Sequence, residues 1–173
     1  MHFLLFFFWC SVGFGQVTFQ KTYGSVNLDE CYGVCQTDDA GYILIGHSPN
    51  LSNLSSDIYL VKTNNVGDTL WSRTFGGIGS DWGFSVKQAI DGGYILTGRT
   101  QSFGAGSNDI YLIKTDANGD TSWTRALGGP GDEWGFSVQQ TCAQPFAIAL
   151  GDPSTGSHRL NLAGGINSLG TTL

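Results

Sequence analysis

The sequence has few charged residues and few prolines, and its charge is mostly of one sign. Charged residues make up 13% of the 173 residues, four residues are Pro, and eight Lys and Arg stand against fourteen Asp and Glu. The formal net charge is therefore -6, and the basic residues form no cluster. Nucleic acids and anionic lipid surfaces are bound through clustered positive charge. The sequence therefore predicts that neither is a partner.

No apolar run is long enough to span a bilayer, which takes about 20 helical residues. A shorter run lies at residues 3–9 (FLLFFFW), and the small residues Gly13 and Gly15 precede Gln16. This order is typical of a secretory signal peptide, so we predict that residues 1–15 are cleaved and that the protein is secreted or lies at the cell surface. No Lys or Arg precedes the run, so a retained membrane stub and lipid attachment at Cys10 stay open as alternatives.

Cysteine is scarce as well, with four in the chain. Beyond the predicted signal, three remain, at Cys31, Cys35 and Cys142. The first two are four residues apart in a predicted strand, which separates them by about 13 Å. A disulfide needs Cα atoms within about 7 Å, so these two cannot pair with each other. We expect free thiols. We expect no metal site at these cysteines, because no histidine other than His47 lies near them in the sequence.

Glycine and aromatic residues are plentiful. The chain has 26 Gly, 13% aromatic and 40% hydrophobic residues, which is ample material for a core and gives little support for helices. This balance favours short strands joined by tight turns. The expected class is all-β.

The chain is built from a repeated unit. Residues 57–88 reappear 52 positions later with 20 of 32 positions identical and no gap. The same offset places residues 19–24 on 71–76, and residues 39–46 (DAGYILIG) on 91–98 (DGGYILTG). A unit of this length that recurs without interruption indicates an architecture in which copies stack and bury each other's faces.

Each copy carries four strand signals in a fixed order. In the second copy they span 82–88, 93–100, 109–115 and 121–127, and Gly- and Asn-rich turns separate them. The continuous apolar run at 110–113 implies burial on both faces. A four-stranded antiparallel sheet covered on both sides by copies of itself is the unit of a β-propeller, a blade.

Aromatic residues and paired glycines recur at fixed positions of the unit. We predict that the aromatic residues fill the wedge between stacked sheets, with stacking on sugars as the alternative for an exposed Trp. We predict that the glycines end the fourth strand and allow the chain to reverse. These structural positions are Trp71, Trp82, Phe84, Trp123, Trp134, Phe136, Gly76, Gly77, Gly128 and Gly129.

One turn has the oxygen spacing that begins many calcium loops. Asp116, Asn118 and Asp120 alternate there, but no bidentate Glu follows and the other copy has Val66 in place of the middle ligand. We interpret the turn as hairpin chemistry, with calcium as the weaker alternative. No other metal or cofactor site is indicated.

The sequence offers no catalytic set. The carboxylates at Asp57 and Asp81 recur as Asp109 and Glu133, which indicates acceptors of turn hydrogen bonds rather than acid–base groups. His47 stands where the next copy has Arg99, and we interpret this difference as surface variation. No nucleophile with a neighbouring base can be assembled, so we expect a non-enzymatic protein without a cofactor.

Residues 17–141 resemble a known repeat family. The strings KTDANGDTSWTRALGGPGDEWGFSVQQ and DGGYILTGRTQSFGAGSNDIYLIKTD look like the repeats of secreted bacterial β-propeller-like proteins, which are often surface-bound or type IX-exported. The resemblance implies propeller blades, export and a binding or scaffold role. More loosely, KTDANGDTSW also resembles the docking motif of quinoprotein dehydrogenase propellers, which implies the alternative of a fragment of a propeller enzyme, quinoprotein-like or polysaccharide-active.

The predicted organisation has three parts. Residues 1–15 are the signal, 16–141 form the propeller-like repeats, and 142–173 are a divergent segment in which the repeat register is lost. About three repeat lengths are too few for a closed propeller of four to eight blades, so we expect an open arc or partial propeller. The expected function is that of an exported scaffold that binds a glycan or protein, with self-association or further repeats completing the assembly.

Overall fold

The computed structural model is all-β. It describes residues 19–25 and 28–140, and the backbone of two later strands. Eleven strands are present in this part of the chain: β1 Glu30–Gln36, β2 Tyr42–Asn50, β3 Ser55–Thr63, β4 Thr69–Phe75, β5 Asp81–Gln88, β6 Tyr94–Thr100, β7 Asp109–Thr115, β8 Thr121–Leu127, β9 Trp134–Gln140, β10 Phe146–Gly151 and β11 Asn161–Ile166. No helix in the described residues is long and apolar enough to cross a membrane.

The strands form three antiparallel sheets in chain order. The first sheet is β1-β2-β3-β4, the second is β5-β6-β7-β8, and the third is β9-β10-β11. The second sheet agrees with the four strands predicted from the sequence to within one residue at each end. The prediction of four-stranded antiparallel units is therefore confirmed for the first two sheets.

In the turns between the third and fourth strands of each unit, a side-chain oxygen accepts hydrogen bonds from backbone N–H groups. Oδ1 of Asn64 accepts hydrogen bonds from the N–H groups of Val66 and Asp68, at 3.0 and 2.8 Å. Gly67 in this turn has φ of 81°, a left-handed conformation that a glycine adopts without steric cost. The turn at 116–120 repeats this arrangement, which explains why both copies have glycine at this position.

The sheets stack through the first strand of each following sheet. Strand β5 packs on β1, β2 and β3, and β9 packs on β5, β6 and β7. The larger core cluster lies between the first and second sheets and includes Ile43, Ile45, Ile58, Leu60, Val86, Tyr94, Leu96, Tyr111 and Ile113. A smaller cluster of Ile95, Ile110, Leu112 and Val138 joins the second sheet to the third. Every residue of β6 and β7 is buried, and for β7 the continuous apolar run at 110–113 predicted this.

The third sheet keeps the strand pairing of the first two, although the sequence similarity ends at Thr141. Val86 lies opposite Leu96 in the second sheet, and Val138 lies opposite Ile148, each 52 residues later, in the third. Each first strand also contains a register shift at the same repeat position. The backbone of the repeat therefore continues into β10.

Candidate binding surface

The three register shifts place one aromatic residue each. The shifts fall between Cys31 and Gly33, between Gly83 and Ser85, and opposite the step from Ala149 to Leu150. The extra residues are Tyr32, Phe84 and Phe136, which stand 52 positions apart. A β-bulge adds one residue to one strand and redirects its side chain. The repeat therefore presents an aromatic side chain at the same point of three neighbouring strands.

These side chains form a continuous row, called here the aromatic row. The ring centroids of Tyr32 and Phe84 are 5.4 Å apart, and those of Phe84 and Phe136 are 5.5 Å apart. Phe84 is partly buried, whereas Tyr32 is 43% exposed and Phe136 is 41% exposed. The two end residues of the row are therefore exposed to solvent. Aromatic residues that served only to pack the core would be buried.

A second stack, formed by three aromatic rings and one guanidinium group, packs against the row. His47 lies parallel to Trp82, with ring centroids 4.6 Å apart and an interplanar angle of 5°. The guanidinium of Arg99 lies 3.9 Å from the Trp82 centroid and 4.9 Å from the Trp134 centroid. Trp134 in turn stacks on Phe84 at 5.7 Å. The stack links β2, β5, β6 and β9 across all three sheets, so the row has a rigid support.

The interpretation of His47 and Arg99 as surface variation is wrong. Their exposed fractions are only 5% and 8%, because both lie beneath the row between stacked sheets. Arg99 donates a hydrogen bond to Oδ1 of Asn108, and Asn108 donates to Asp132 at 2.6 Å. Burial is the main effect that lowers the pKa of His47, although Glu30 and Asp29 oppose it, and burial also lowers the pKa of Arg99.

Tyr32 ends the row next to a carboxylate. Its hydroxyl donates a hydrogen bond of 2.5 Å to Oε2 of Glu30. Burial first, and then this hydrogen bond, raise the pKa of Tyr32 to about 12. The phenol therefore stays protonated at neutral pH and keeps its donor.

The other repeated tryptophans lie away from the row. Trp71 packs on the larger core cluster and meets Tyr94 edge-on at 5.7 Å, and Trp123 packs on the smaller cluster. Trp71, Trp123, Trp82 and Trp134 are all partly buried. The fully buried positions between the sheets are occupied mainly by Ile and Leu, so these four tryptophans lie at the edge of the core.

The paired glycines make room for carboxylates. A Cβ on Gly76 would lie 2.3 Å from Oδ1 of Asp57 and 2.7 Å from Oδ2 of Asp81. A Cβ on Gly128 would lie 2.2 Å from Asp109 and 2.5 Å from Glu133. Close approach of these side chains explains the first glycine of each pair, and none of the four paired glycines has a positive φ. The chain reversal stays a prediction.

The carboxylates at these glycines accept backbone hydrogen bonds. Asp81 accepts from the N–H of Gly77 at 3.0 Å, and Glu133 accepts from the N–H of Gly129 at 3.1 Å. Burial first, and the charge of Asp81 as well, raise the pKa of Asp57, which Asn50 partly offsets. This geometry agrees with the turn acceptors predicted from the sequence.

In the calcium-like turn, the carboxylate oxygens accept hydrogen bonds from the protein itself. Oδ1 of Asp116 accepts from the N–H groups of Asn118 and Asp120, and Oδ1 of Asp120 accepts from Arg73 at 3.2 Å. Within the described residues, no group of three or more His, Cys, Asp or Glu side chains is placed to hold a metal ion. The geometry is that of a hairpin turn tied to the preceding sheet.

Cys31 and Cys35 are free thiols, as predicted, while Cys10 and Cys142 lie outside the residues whose side chains are described.

The aromatic row and its supporting stack were missed from the sequence in two places. Tyr32 was not singled out, although the 52-residue offset aligns it with Phe84, and Arg99 was interpreted as surface variation. No protein-family model matches the chain, and no curated protein is significantly similar to it.

Proposed function

We propose that this chain is an exported, non-enzymatic scaffold of propeller-like sheets that binds a glycan through the aromatic row. The observation that carries the proposal is the row itself, three aromatic side chains that bulges place at one repeat position on three neighbouring strands. Aromatic residues that are exposed and held rigidly are enriched at binding surfaces. A protein ligand is the alternative occupant of the same surface.

The regular spacing of the row favours a repeating ligand. The ring centroids follow each other at 5.4 and 5.5 Å, although Tyr32 meets Phe84 edge-on and Phe84 stacks on Phe136, so a polysaccharide can meet several aromatic contacts in succession. The Glu30 carboxylate beside Tyr32 adds a polar acceptor at one end of the row. Both features suit a sugar, which presents apolar ring faces and hydroxyl groups together.

Three further points support the scaffold role. Asp81 and Glu133 accept hydrogen bonds from backbone N–H groups, which favours a structural role for these two carboxylates. The resemblance to secreted bacterial propeller-like repeats favours blades of a propeller. Residues 1–15 favour export, and an intact mass for the secreted product that begins at Gln16 would support cleavage, whereas a retained Met1 would contradict it.

The binding test uses two exposed phenylalanines. Phe136 lies in the row and is 41% exposed, and Phe103 lies outside it and is 43% exposed. Affinity electrophoresis of the protein through gels that contain single soluble polysaccharides measures retardation. We expect F136A to weaken binding about tenfold, which corresponds to about 1.4 kcal/mol, and F103A to bind like the unmodified chain.

Two results would contradict the proposal. Equal binding by F136A and F103A would remove the row from the site. No retardation by any polysaccharide of the panel, which includes β-glucan, xylan, mannan and pectin, would reject the glycan.

A further inference from the structure

Residues 19–25 lie against the first sheet in the way that β4 lies against the second. Phe19 meets Tyr42 at 5.9 Å, as Trp71 meets Tyr94 at 5.7 Å. Two residues after Phe19, Lys21 forms an ion pair with Asp68 at 2.9 Å. Two residues after Trp71, Arg73 forms one with Asp120 at 3.2 Å. Each partner is 52 residues from its counterpart. The segment therefore occupies the place of the fourth strand of a preceding sheet.

The rest of that face of the first sheet is open among the described residues. Val34 is 61% exposed, whereas its repeat counterparts Val86 and Val138 are 2% and 1% exposed. Leu44 is likewise partly exposed, and its counterpart Leu96 is fully buried. A groove between the segment and the sheet is lined by Leu44 and Val61 together with the charged side chains of Lys21, Asp29 and Glu30. The face has the residues of a sheet-to-sheet interface, with half of that interface missing.

The third sheet lacks the complementary element. Its order is β11-β10-β9, so β11 is an edge strand within the described part of the chain, where the other two sheets have a fourth strand. The pairing of Ile148 with Ala163 repeats the pairing of Leu96 with Ile113. Position 163 therefore corresponds to Ile113, which lies opposite Thr124 of a fourth strand.

We propose that a second copy of this chain packs its third sheet on the open face of the first sheet, with residues 19–25 as the fourth strand beside β11 of that copy. The interface is the one that already joins the first sheet to the second and the second to the third. In its described part, each copy has one open face and one three-stranded sheet, so two copies satisfy both reciprocally. The pair joins six sheets, a number within the four to eight of closed propellers.

The occupant follows from continuity of the repeat interface. An unrelated protein would have to reproduce both the apolar sheet face and an unpaired strand edge in one register, and the chain itself carries both. An unpaired strand edge is also a template for pairing with another chain. Residues before Phe19 of the same chain, or a further repeat, are the competing occupants, and the experiments below separate them from a second copy.

A disulfide cross-link tests the strand pairing. Gln20 corresponds to Ser72 and Thr124, so it is expected opposite Ala163 of the second copy. Opposed Cα atoms in an antiparallel pair lie about 4.5–5.5 Å apart, within disulfide reach. The chain is expressed in full with its four native cysteines changed to Ser and with Gln20→Cys and Ala163→Cys.

After oxidation we expect a covalent species of twice the 18.5 kDa chain mass on a non-reducing gel. Neither single cysteine variant should give it in comparable yield. A disulfide within one chain, or no more product than the single variants give, would overturn the proposal.

Light scattering tests the face. For the purified unmodified chain we expect twice the mass of one chain, and for Val34→Asp the mass of one chain. Leu70→Asp is the matched control, because Leu70 is 57% exposed on the other edge strand of the same sheet, and it should stay dimeric. Circular dichroism checks that both variants are folded.

A monomeric unmodified chain would overturn the proposal, and so would equal masses for the two variants. None of these outcomes measures glycan binding. The repeat interface would, however, bring Phe136 of one copy next to Tyr32 of the other, as Phe84 meets Phe136 within one chain. Light scattering on F136A therefore shows whether a loss of glycan binding reflects a loss of the dimer, so the two proposals can fail separately.

Discussion

Single residues in this protein are set by their position in the unit, and the paired glycines show this most clearly. Gly128 and Gly129 are adjacent, and neither has a positive φ. A Cβ on Gly128 would clash with two carboxylates, whereas the nearest atom to a Cβ on Gly129 is 3.8 Å away. Only the first glycine is therefore required by its surroundings.

We predict that Gly128→Ala lowers the free energy of unfolding by about 1–3 kcal/mol, the usual cost of overpacking. Gly129→Ala should change it by no more than about 0.5 kcal/mol, as at a tolerant surface site. Chemical denaturation followed by tryptophan fluorescence measures both. Similar costs for the two changes would show that the carboxylates do not approach Gly128 as described.

His47 gives the fold a dependence on pH. Burial lowers its pKa in the folded state below the usual 6.5, so below pH 6.5 the unfolded chain binds more protons at this site and stability falls with falling pH. The stabilisation is fully present above pH 6.5. The slope contributed by one group cannot exceed about 1.4 kcal/mol per pH unit.

His47→Phe keeps a ring for stacking on Trp82 and removes the titration. It also removes no hydrogen bond at Nδ1, which has no partner among the residues that the structure describes. We predict that the variant loses the decrease in unfolding free energy between pH 7 and 5.5 that the unmodified chain shows. Denaturation at several pH values checks this. An unchanged slope would place the titrating group elsewhere.

At the scale of elements, the bulges decide where the aromatic row lies. In β5 the pairing with β6 shifts between Gly83 and Ser85, which makes Phe84 the extra residue of the bulge. The residues before and after Phe84 point to their present faces of the sheet only because this residue is inserted. Removing that residue would turn Asp81 and Trp82 to the opposite faces of the sheet. Asp81 is fully buried and accepts two hydrogen bonds, so this reversal is costly.

We therefore expect deletion of Phe84 to abolish the cooperative thermal transition, whereas Phe84→Ala, which keeps the bulge, should unfold cooperatively at a lower temperature. Circular dichroism against temperature compares the two. If the deletion melts like Phe84→Ala, the register shift has no structural role.

The sequence predicts the elements better than the site. The 52-residue offset and the apolar run at 110–113 were sufficient to place the strands of the second sheet, because both signals are local. The bulges leave no local signal, since they appear only when two strands are paired. For the same reason Arg99 and His47 read as surface residues, although the neighbouring sheets bury them.

For the whole molecule, the central claim is that copies of one unit stack through one interface. Gly83 of β5 lies at this interface, where a Cβ would come within 2.5 Å of Cγ1 and 2.6 Å of Cδ1 of Ile45 in the first sheet. Ile45 itself is 1% exposed. These two residues contact each other only if the second sheet stacks on the first as described.

A double-mutant cycle of Gly83→Ala and Ile45→Ala, measured by denaturant unfolding, tests this claim most directly. Alone, Gly83→Ala should cost about 1–3 kcal/mol by overpacking, and Ile45→Ala about 2–5 kcal/mol by leaving a cavity. Ile45→Ala removes the two closest contacts of the added methyl and leaves Cγ2 of Ile58 at 2.9 Å. The account therefore predicts that the double variant is more stable than the sum of the single costs implies, by about 1 kcal/mol or more. Additive costs, within about 0.5 kcal/mol, would contradict the stacking of the sheets.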